Sequence, residues 1–223
     1  MTKRRPFAVL FDLDGTLIDS IGLLLASVKR AFEGRTLAPT QEEWVAGIGI
    51  PLAKQMEPYA ASTEDVELLV SRYRGFQNEA HDRMTCVYDG VTETLERLQA
   101  SGHPMGIVTS KGNNMMFKSL RYTNIERFMQ SLIGCDSCAI HKPDPFPVRM
   151  ALGELGYEAH EAVFIGDSPH DILAGNAAGV TTIGALWGPF TRPMLEPYKP
   201  RHFLDGIRGL APLVERIQNE VSG

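Results

Sequence analysis

The chain has 223 residues, 43% of them hydrophobic, and its 27 acidic and 22 basic residues give a net charge of −5. This length can bury one substantial core with a small appended domain. The acidic balance argues against a nucleic-acid partner, and no apolar stretch is long enough to span a membrane. Three cysteines, an odd number, suit a reducing cytoplasm better than a disulfide framework.

The first predicted element is a buried strand from Phe7 to Phe11, and two acids follow it at once. Asp12 and Asp14 are two residues apart on extended chain, so we expect their side chains on the same side. Two neighbouring carboxylates repel each other unless one is protonated or a cation lies between them. Gly15 can adopt a positive φ and bring backbone N–H groups close to an anion. This stretch therefore predicts a phosphoryl-transfer site.

Residues 20–84 carry helical signals and no strand pattern. N-cap signals at Asp19-Ser20 and at Ser62 each precede an apolar stripe at helical spacing, and a capping box at Thr40 begins another helix that stops near Gly47. The sequence therefore predicts a helical insert of three or more helices at this point of the chain.

After Val87 the pattern changes to strands that alternate with helices, which predicts a doubly wound parallel sheet. The predicted strands cover residues 105–108, 131–134, 162–165 and 181–185. The proline-rich segment 187–200 is predicted as a surface loop, and residues 207–221 as a C-terminal helix.

Four polar clusters follow predicted strands or lie in the loops just beyond them. They are Asp12 with Asp14, Thr109 with Ser110, Lys142, and Gly166 with Asp167. In an open α/β sheet, ligands bind beyond the carboxyl ends of the strands, so we expect these clusters to meet at one edge. Pro143 keeps the preceding lysine extended, which suits a charge aimed at a fixed position.

These clusters, in this order, resemble the four motifs of the haloacid dehalogenase-like (HAD) phosphohydrolase superfamily, beginning with Asp12-Leu13-Asp14-Gly15-Thr16. The resemblance implies a doubly wound α/β core formed by residues 1–19 and 85–223. It also implies that residues 20–84 form a helical cap domain. The alternative, that these helices only cover the sheet, stays open.

The resemblance also implies catalytic roles. Asp12 would be the nucleophile that forms an aspartyl-phosphate, and Lys142 would neutralise the phosphoryl group. Asp14 would protonate the leaving oxygen and then activate water. An acid at this position indicates phosphate esters or anhydrides, because a halide leaves without a proton.

The phosphate-binding residue that the resemblance implies is Thr109, and Ser110 and Asn113 nearby are further candidates through their backbone or side-chain donors. Magnesium would be held by Asp167, by the side chain of Asp12 and by the backbone carbonyl of Asp14. Asp171 completes the last motif and could cap its own helix, orient Lys142, or do both.

Two other groups imitate functional sites. Cys135 and Cys138, with His141 nearby, resemble a zinc or redox pair, but a structural zinc needs four ligands and no second pair exists in the sequence. His81 and Asp82 are predicted to be solvated surface.

The expected activity is magnesium-dependent hydrolysis of a small phosphate ester by a monomer or homodimer. Phosphoglycolate is the first candidate substrate and inorganic pyrophosphate the second. A β-phosphoglucomutase-like phosphomutase would carry the same motifs, and a receiver-like module would hold phosphate without turning it over. Specificity is expected to reside around Gly47 to Leu52 and in the helix before Met84.

Overall fold

A computed structural model of the protein describes residues 5–220. In this range six strands form a parallel sheet and two form a small antiparallel ribbon. In chain order the strands are β1 (Ala8–Phe11), β2 (Ile18–Asp19), β3 (Cys86–Val87), β4 (Met105–Val108), β5 (Met129–Ile133), β6 (Ala162–Gly166), β7 (Thr181–Ala185) and β8 (His202–Leu204). The predicted doubly wound α/β fold is confirmed.

Ten α-helices cover the sheet or lie in the insert within the described range. They are α1 (Ile21–Ala31), α2 (Gln41–Ala46), α3 (Leu52–Met56), α4 (Thr63–Ala80), α5 (Val91–Ala100), α6 (Asn113–Tyr122), α7 (Phe146–Leu155), α8 (Pro169–Ala178), α9 (Arg192–Leu195) and α10 (Leu210–Glu220). None of these helices is long and apolar enough to cross a membrane.

The strand order is β5-β4-β1-β6-β7-β8, so β1 lies in the middle, with β4 and β6 as its parallel neighbours. Val9 and Phe11 pack under α5, α6 and α10, whereas Leu10 packs on the opposite face under α7 and α8. Burial on both faces explains why this strand is apolar throughout. Because the strand order reverses at β1, Asp12 emerges where such sheets bind ligands.

The helical insert, α1 to α4, lies between the two strands of the ribbon. Ile18 pairs with Val87 and Asp19 with Cys86, so the ribbon joins the entrance and exit of the insert. Strands of two residues carry no readable alternation, and the sequence did not predict them. Ser62 and the capping box at Thr40 begin α4 and α2 as expected.

The segment 187–200 is not the surface loop that we predicted. It contains α9, and Phe190 and Leu195 are buried in one apolar cluster with side chains of the insert. The following strand β8 also went unpredicted, because only three half-buried residues form this sheet edge. The C-terminal helix begins at Leu210 after a turn of 3₁₀ helix, and its predicted end at Val221 lies outside the described residues.

Candidate active site

The carboxyl end of β1 places Asp12 beside a buried lysine. Lys142 Nζ donates to Asp12 Oδ1 at 2.9 Å, to Asp171 Oδ1 at 2.5 Å and to the Val108 carbonyl at 3.0 Å. All three ammonium hydrogens of Lys142 therefore have acceptors, which holds the charge against Asp12. The peptide bond between Lys142 and Pro143 is cis.

The electrostatics of this group follow from its burial. Burial raises the pKa of Asp12 to about 7; Lys142 opposes the shift and Asp171 adds to it. Burial alone would lower the pKa of Lys142, but the two carboxylates outweigh it and raise that pKa above its usual range. Lys142 is therefore charged. Its single positive charge does not offset the buried carboxylates around it, which is why the pKa of Asp12 remains raised.

Asp171 serves two local interactions at once. Its Oδ2 accepts from the backbone N–H and the hydroxyl of Ser168 in a capping box that begins α8, while its Oδ1 accepts from Lys142. From the sequence, Asp171 could cap its own helix, orient Lys142, or do both. The structure shows both contacts.

Asp167 follows β6 and is completely buried. Thr16 Oγ1 donates to its Oδ1 at 2.7 Å, but Oδ2 has no hydrogen-bond partner among the described residues. Burial, together with Asp12 and Asp171, raises its pKa. Gly15 has φ +85°, and a Cβ there would lie 2.5 Å from Asp167 Oδ2, so glycine is required on both counts.

These acids fit a divalent cation. Oxygen atoms of Asp12, Asp167 and Asp171 lie within 4.8 Å of one another, and Asp167 keeps a buried oxygen without a partner among the described residues. Mg²⁺ prefers oxygen ligands of this kind and would relieve the repulsion that burial creates. Because Asp171 is already bound by Lys142 and Ser168, Asp12 and Asp167 are the acids with free capacity.

Asp14 is held by a different lysine from the one that binds Asp12. Its Oδ1 accepts from Ser20 Oγ and, at 2.6 Å, from Lys111 Nζ. Ser20 holds the N-cap position of α1, but its hydroxyl serves Asp14 and makes no capping bond, contrary to the role that we predicted. Fixing Oδ1 by two donors leaves Oδ2 available to the cavity.

Of the three predicted phosphate-binding residues, two line the cavity and one does not. Thr109 is buried at the end of β4 and lines the cavity near Asp12. Ser110 also lines the cavity, and its hydroxyl donates to the carbonyl of Gly49 in the insert. Asn113 begins α6; its backbone N–H donates to Asp136 and its side chain accepts from Ser137, and it does not line the cavity.

A cavity of about 860 Å³ lies between the insert and the carboxyl edge of the sheet. Asp12, Asp14 and Thr109 line it from the sheet, and Tyr73 and Gln77 of α4 line it from the insert. The loop after α2 reaches the same edge, where Gly49 at φ +103° lies against His170 and Ser168. The insert thus forms the wall of the cavity that faces Asp12, Asp14 and Thr109.

Lys111 and His81 are buried, although neither was predicted from the sequence to be so. Lys111 was not singled out, yet it is buried and pairs with Asp14; its only sequence signal is that it follows Thr109 and Ser110 at the site edge. His81 is completely buried rather than solvated, with Nδ1 2.7 Å from Asp82 Oδ1 and Nε2 2.9 Å from Ser119 Oγ. Cys135 and Cys138 are free thiols.

Replacing Lys142 by Met is expected to lower kcat by about a hundredfold or more, because preorganised charge beside Asp12 is lost. It should also destabilise the protein by roughly 3–5 kcal/mol, since it leaves buried carboxylates without their cation. Chemical denaturation and steady-state kinetics measure the two effects. Adding Asp171→Asn should restore part of the stability but none of the activity; a loss of kcat below tenfold in the single variant would contradict this role.

The comparison with known proteins agrees with this geometry. A family model described as haloacid dehalogenase-like hydrolase matches residues 9–185. The chain belongs to this family. Pyrophosphatase PpaX of Bacillus velezensis is 37% identical over 213 residues, which cover 94% of this chain and 97% of that protein. With relatives of this kind, the chain is an enzyme of the phosphatase class within the haloacid dehalogenase-like family.

Solved structures share the family fold. A predicted phosphoglycolate phosphatase from Haemophilus somnus superposes with a TM-score of 0.82 at 23% identity, covering 94% of this chain and 98% of its own. A hydrolase from Pseudomonas syringae has a TM-score of 0.86 at 22% identity, with coverage of 95% and 99%. At such identities the likeness establishes the fold alone.

Proposed function

We propose that this enzyme hydrolyses a small phosphate compound with magnesium, through an aspartyl-phosphate on Asp12, and that inorganic pyrophosphate is its first candidate substrate. The observation that carries the proposal is the buried group of Asp12, Lys142 and Asp167, of which Asp12 lines the cavity between the insert and the sheet. The name and full-length similarity of the PpaX relatives favour pyrophosphate over phosphoglycolate, which was the first candidate from the sequence.

The reaction would take place in two steps. A carboxylate oxygen of Asp12 attacks phosphorus, the new O–P bond forms, and the bond to the leaving oxygen breaks while Asp14 gives that oxygen its proton. Water then attacks the aspartyl-phosphate, Asp14 takes a proton from the water, and phosphate leaves with Asp12 restored. Lys142 and the Thr109 hydroxyl bind the oxygens on which negative charge develops.

The carboxylates of Asp12 and Asp167 would hold Mg²⁺, with the Asp14 backbone carbonyl as the further ligand that the family resemblance implies. When bound, the cation supplies positive charge against the phosphoryl oxygens. Asp171 would position Lys142 rather than bind the cation, because both of its oxygens already accept hydrogen bonds.

We further propose that residues 20–84 act as a cap domain over a core of residues 1–19 and 85–223. The insert joins the core through a two-stranded ribbon, and its helix α4 forms one wall of the cavity. Such a cap would exclude water from the first step and select the leaving group.

A phosphate-release assay with Mg²⁺ tests the proposal on pyrophosphate, phosphoglycolate, glucose 1-phosphate and p-nitrophenyl phosphate. We expect the highest kcat/KM with pyrophosphate. Isomerisation of the sugar phosphate without net phosphate release would identify a phosphomutase instead. One leaving group released per chain, with the phosphoryl group retained on the protein and no turnover, would identify a receiver-like module.

Magnesium should also stabilise the folded protein, because it binds the native acids and not the unfolded chain. At a hundredfold excess over Kd the gain is about 2.7 kcal/mol, which for a chain of this size raises Tm by roughly 5–10 °C. Asp167→Asn should abolish this shift while raising the Tm of the metal-free protein, since it removes a buried carboxylate. Differential scanning calorimetry measures both; an undiminished magnesium shift in Asp167→Asn would place the cation elsewhere.

A further inference from the structure

A second buried lysine, Lys111, lines the cavity and has fewer hydrogen-bond acceptors than Lys142. The side chain of Lys111 is only 4% exposed, and of its three ammonium hydrogens only the one donated to Asp14 has an acceptor among the described residues. Lys142, in contrast, uses all three of its hydrogens. A buried ammonium with two unused donors beside a cavity has the chemistry of an anion site.

Two buried side chains of α4 face the same space with unused polar groups. Gln77 is 6% exposed and Tyr73 is 4% exposed, and both line the cavity. Neither the Gln77 amide nor the Tyr73 hydroxyl forms a hydrogen bond with any residue in the part of the chain that the structure describes, so both groups remain open to the cavity. Because both groups face the cavity without a protein partner, an oxygen-rich ligand could take the place of the water that solvates them.

Arg74 extends the same face of α4 at the mouth of the cavity. Its Nη2 lies 3.9 Å from the point where a side chain on Gly112 would begin, so the guanidinium reaches towards the loop before α6. Within residues 5–220 Arg74 makes no ion pair or hydrogen bond. Gln77 lies one turn of α4 from both Tyr73 and Arg74, and all three line the cavity. Arg72 instead lines a separate depression with Arg30 and Glu79.

We propose that Lys111, Gln77, Tyr73 and Arg74 form a subsite for a second anionic group, carried by the leaving group of the substrate. The inference rests on the proposed phosphatase activity and narrows it to compounds with two anionic groups. Because Lys111 contacts Asp14, the subsite begins beside the carboxyl that would protonate the leaving oxygen. The second anion must therefore lie only a few bonds from that oxygen, as the second phosphate of a diphosphate or a nearby carboxylate does.

The test compares kcat/KM for substrates with and without the second anion. Arg74→Ala and Lys111→Gln should each lower kcat/KM at least about tenfold more for pyrophosphate or phosphoglycolate than for p-nitrophenyl phosphate. Arg74→Lys should recover part of the loss, and Arg72→Ala, on the outer face, should leave all three values unchanged. The substrate with the larger selective loss identifies the second anion as phosphate or carboxylate. Equal losses on all three substrates in both variants would overturn the proposal.

A binding measurement separates the subsite from the chemistry. Methylenediphosphonate carries two anionic groups and cannot be hydrolysed, and its Kd in the presence of Mg²⁺ can be measured by calorimetry. We expect Arg74→Ala to raise that Kd at least about tenfold and Arg72→Ala to leave it unchanged. If the wild type hydrolysed no substrate yet bound the diphosphonate with this dependence on Arg74, the proposed function would fail and the subsite would stand. Binding independent of Arg74 would overturn the subsite even in an active enzyme.

Discussion

Replacing Asp12 by Asn is expected to lower turnover by on the order of 10⁴-fold or more, because the amide cannot attack phosphorus and no other carboxylate occupies its place. The fold should survive. The amide oxygen of the introduced asparagine can still accept from Lys142, which also keeps its bonds to Asp171 and to the Val108 carbonyl. Steady-state phosphate release from pyrophosphate, with circular dichroism as the folding control, measures the loss.

The covalent step gives this prediction a second measurement. Wild-type enzyme that is acid-quenched during turnover of labelled pyrophosphate should carry label that hydroxylamine removes, as it does from acyl phosphates. Asp12→Asn should carry none, whereas Asp171→Asn, which keeps the nucleophile, should still carry label. Near wild-type turnover in a folded Asp12→Asn variant would exclude the proposed nucleophile.

The sheet and its site edge could be predicted because they depend on local patterns. A strand buried on both faces must be apolar throughout, and parallel strands place their carboxyl ends at one edge. Those two rules place Asp12, Thr109 and Asp167 at the same edge of the sheet. In the structure all three lie at that edge. The positive φ of Gly15 could also be predicted, because it follows from the local sequence. The structure adds that a Cβ at this position would clash with Asp167.

The residues that escaped prediction are those whose environment is set by distant segments. Lys111 would be an ordinary solvated lysine after a strand, but it is buried at the cavity that α4 also lines, and it pairs with Asp14. His81 is buried because the turn after α4 packs against α6, where Ser119 meets its ring. Burial lowers the pKa of the His81 imidazole, and the hydrogen bond with Asp82 opposes that shift.

The segment from 187 to 200 was misjudged for a related reason. Its prolines indicate a loop when read alone, yet Phe190 and Leu195 contribute to the apolar cluster that also contains the side chains of α1 and α4. A tertiary contact of this kind outweighs local composition. The same cluster ties the insert to the far edge of the sheet.

The second large effect is expected at Asp14, and its size should depend on the leaving group. A general acid matters most when the leaving oxygen is a poor leaving group, and such catalysis contributes about 10²–10⁴-fold. Asp14→Asn should therefore slow cleavage of phosphoglycolate, which releases an alkoxide, far more than cleavage of p-nitrophenyl phosphate. Pyrophosphate, whose leaving group is phosphate, should fall between the two.

The Asn variant is chosen because its amide oxygen can still accept from Ser20 and Lys111, so the positions of both donors are kept while the transferable proton is lost. Ser20→Ala serves as the matched control: it removes one of those donors but leaves the acid, so we expect losses that are small and similar across the substrates.

Rapid-quench kinetics separates the two steps. With p-nitrophenyl phosphate, Asp14→Asn should form the aspartyl-phosphate readily but hydrolyse it slowly, because the base that activates water is missing. A burst of p-nitrophenol close to one equivalent per enzyme should appear, with phosphoenzyme accumulating; with phosphoglycolate no burst should appear, since the first step has become slow. Equal slowing of cleavage for both esters without a burst would mean that Asp14 acts only by holding Lys111 and the neighbouring backbone in place.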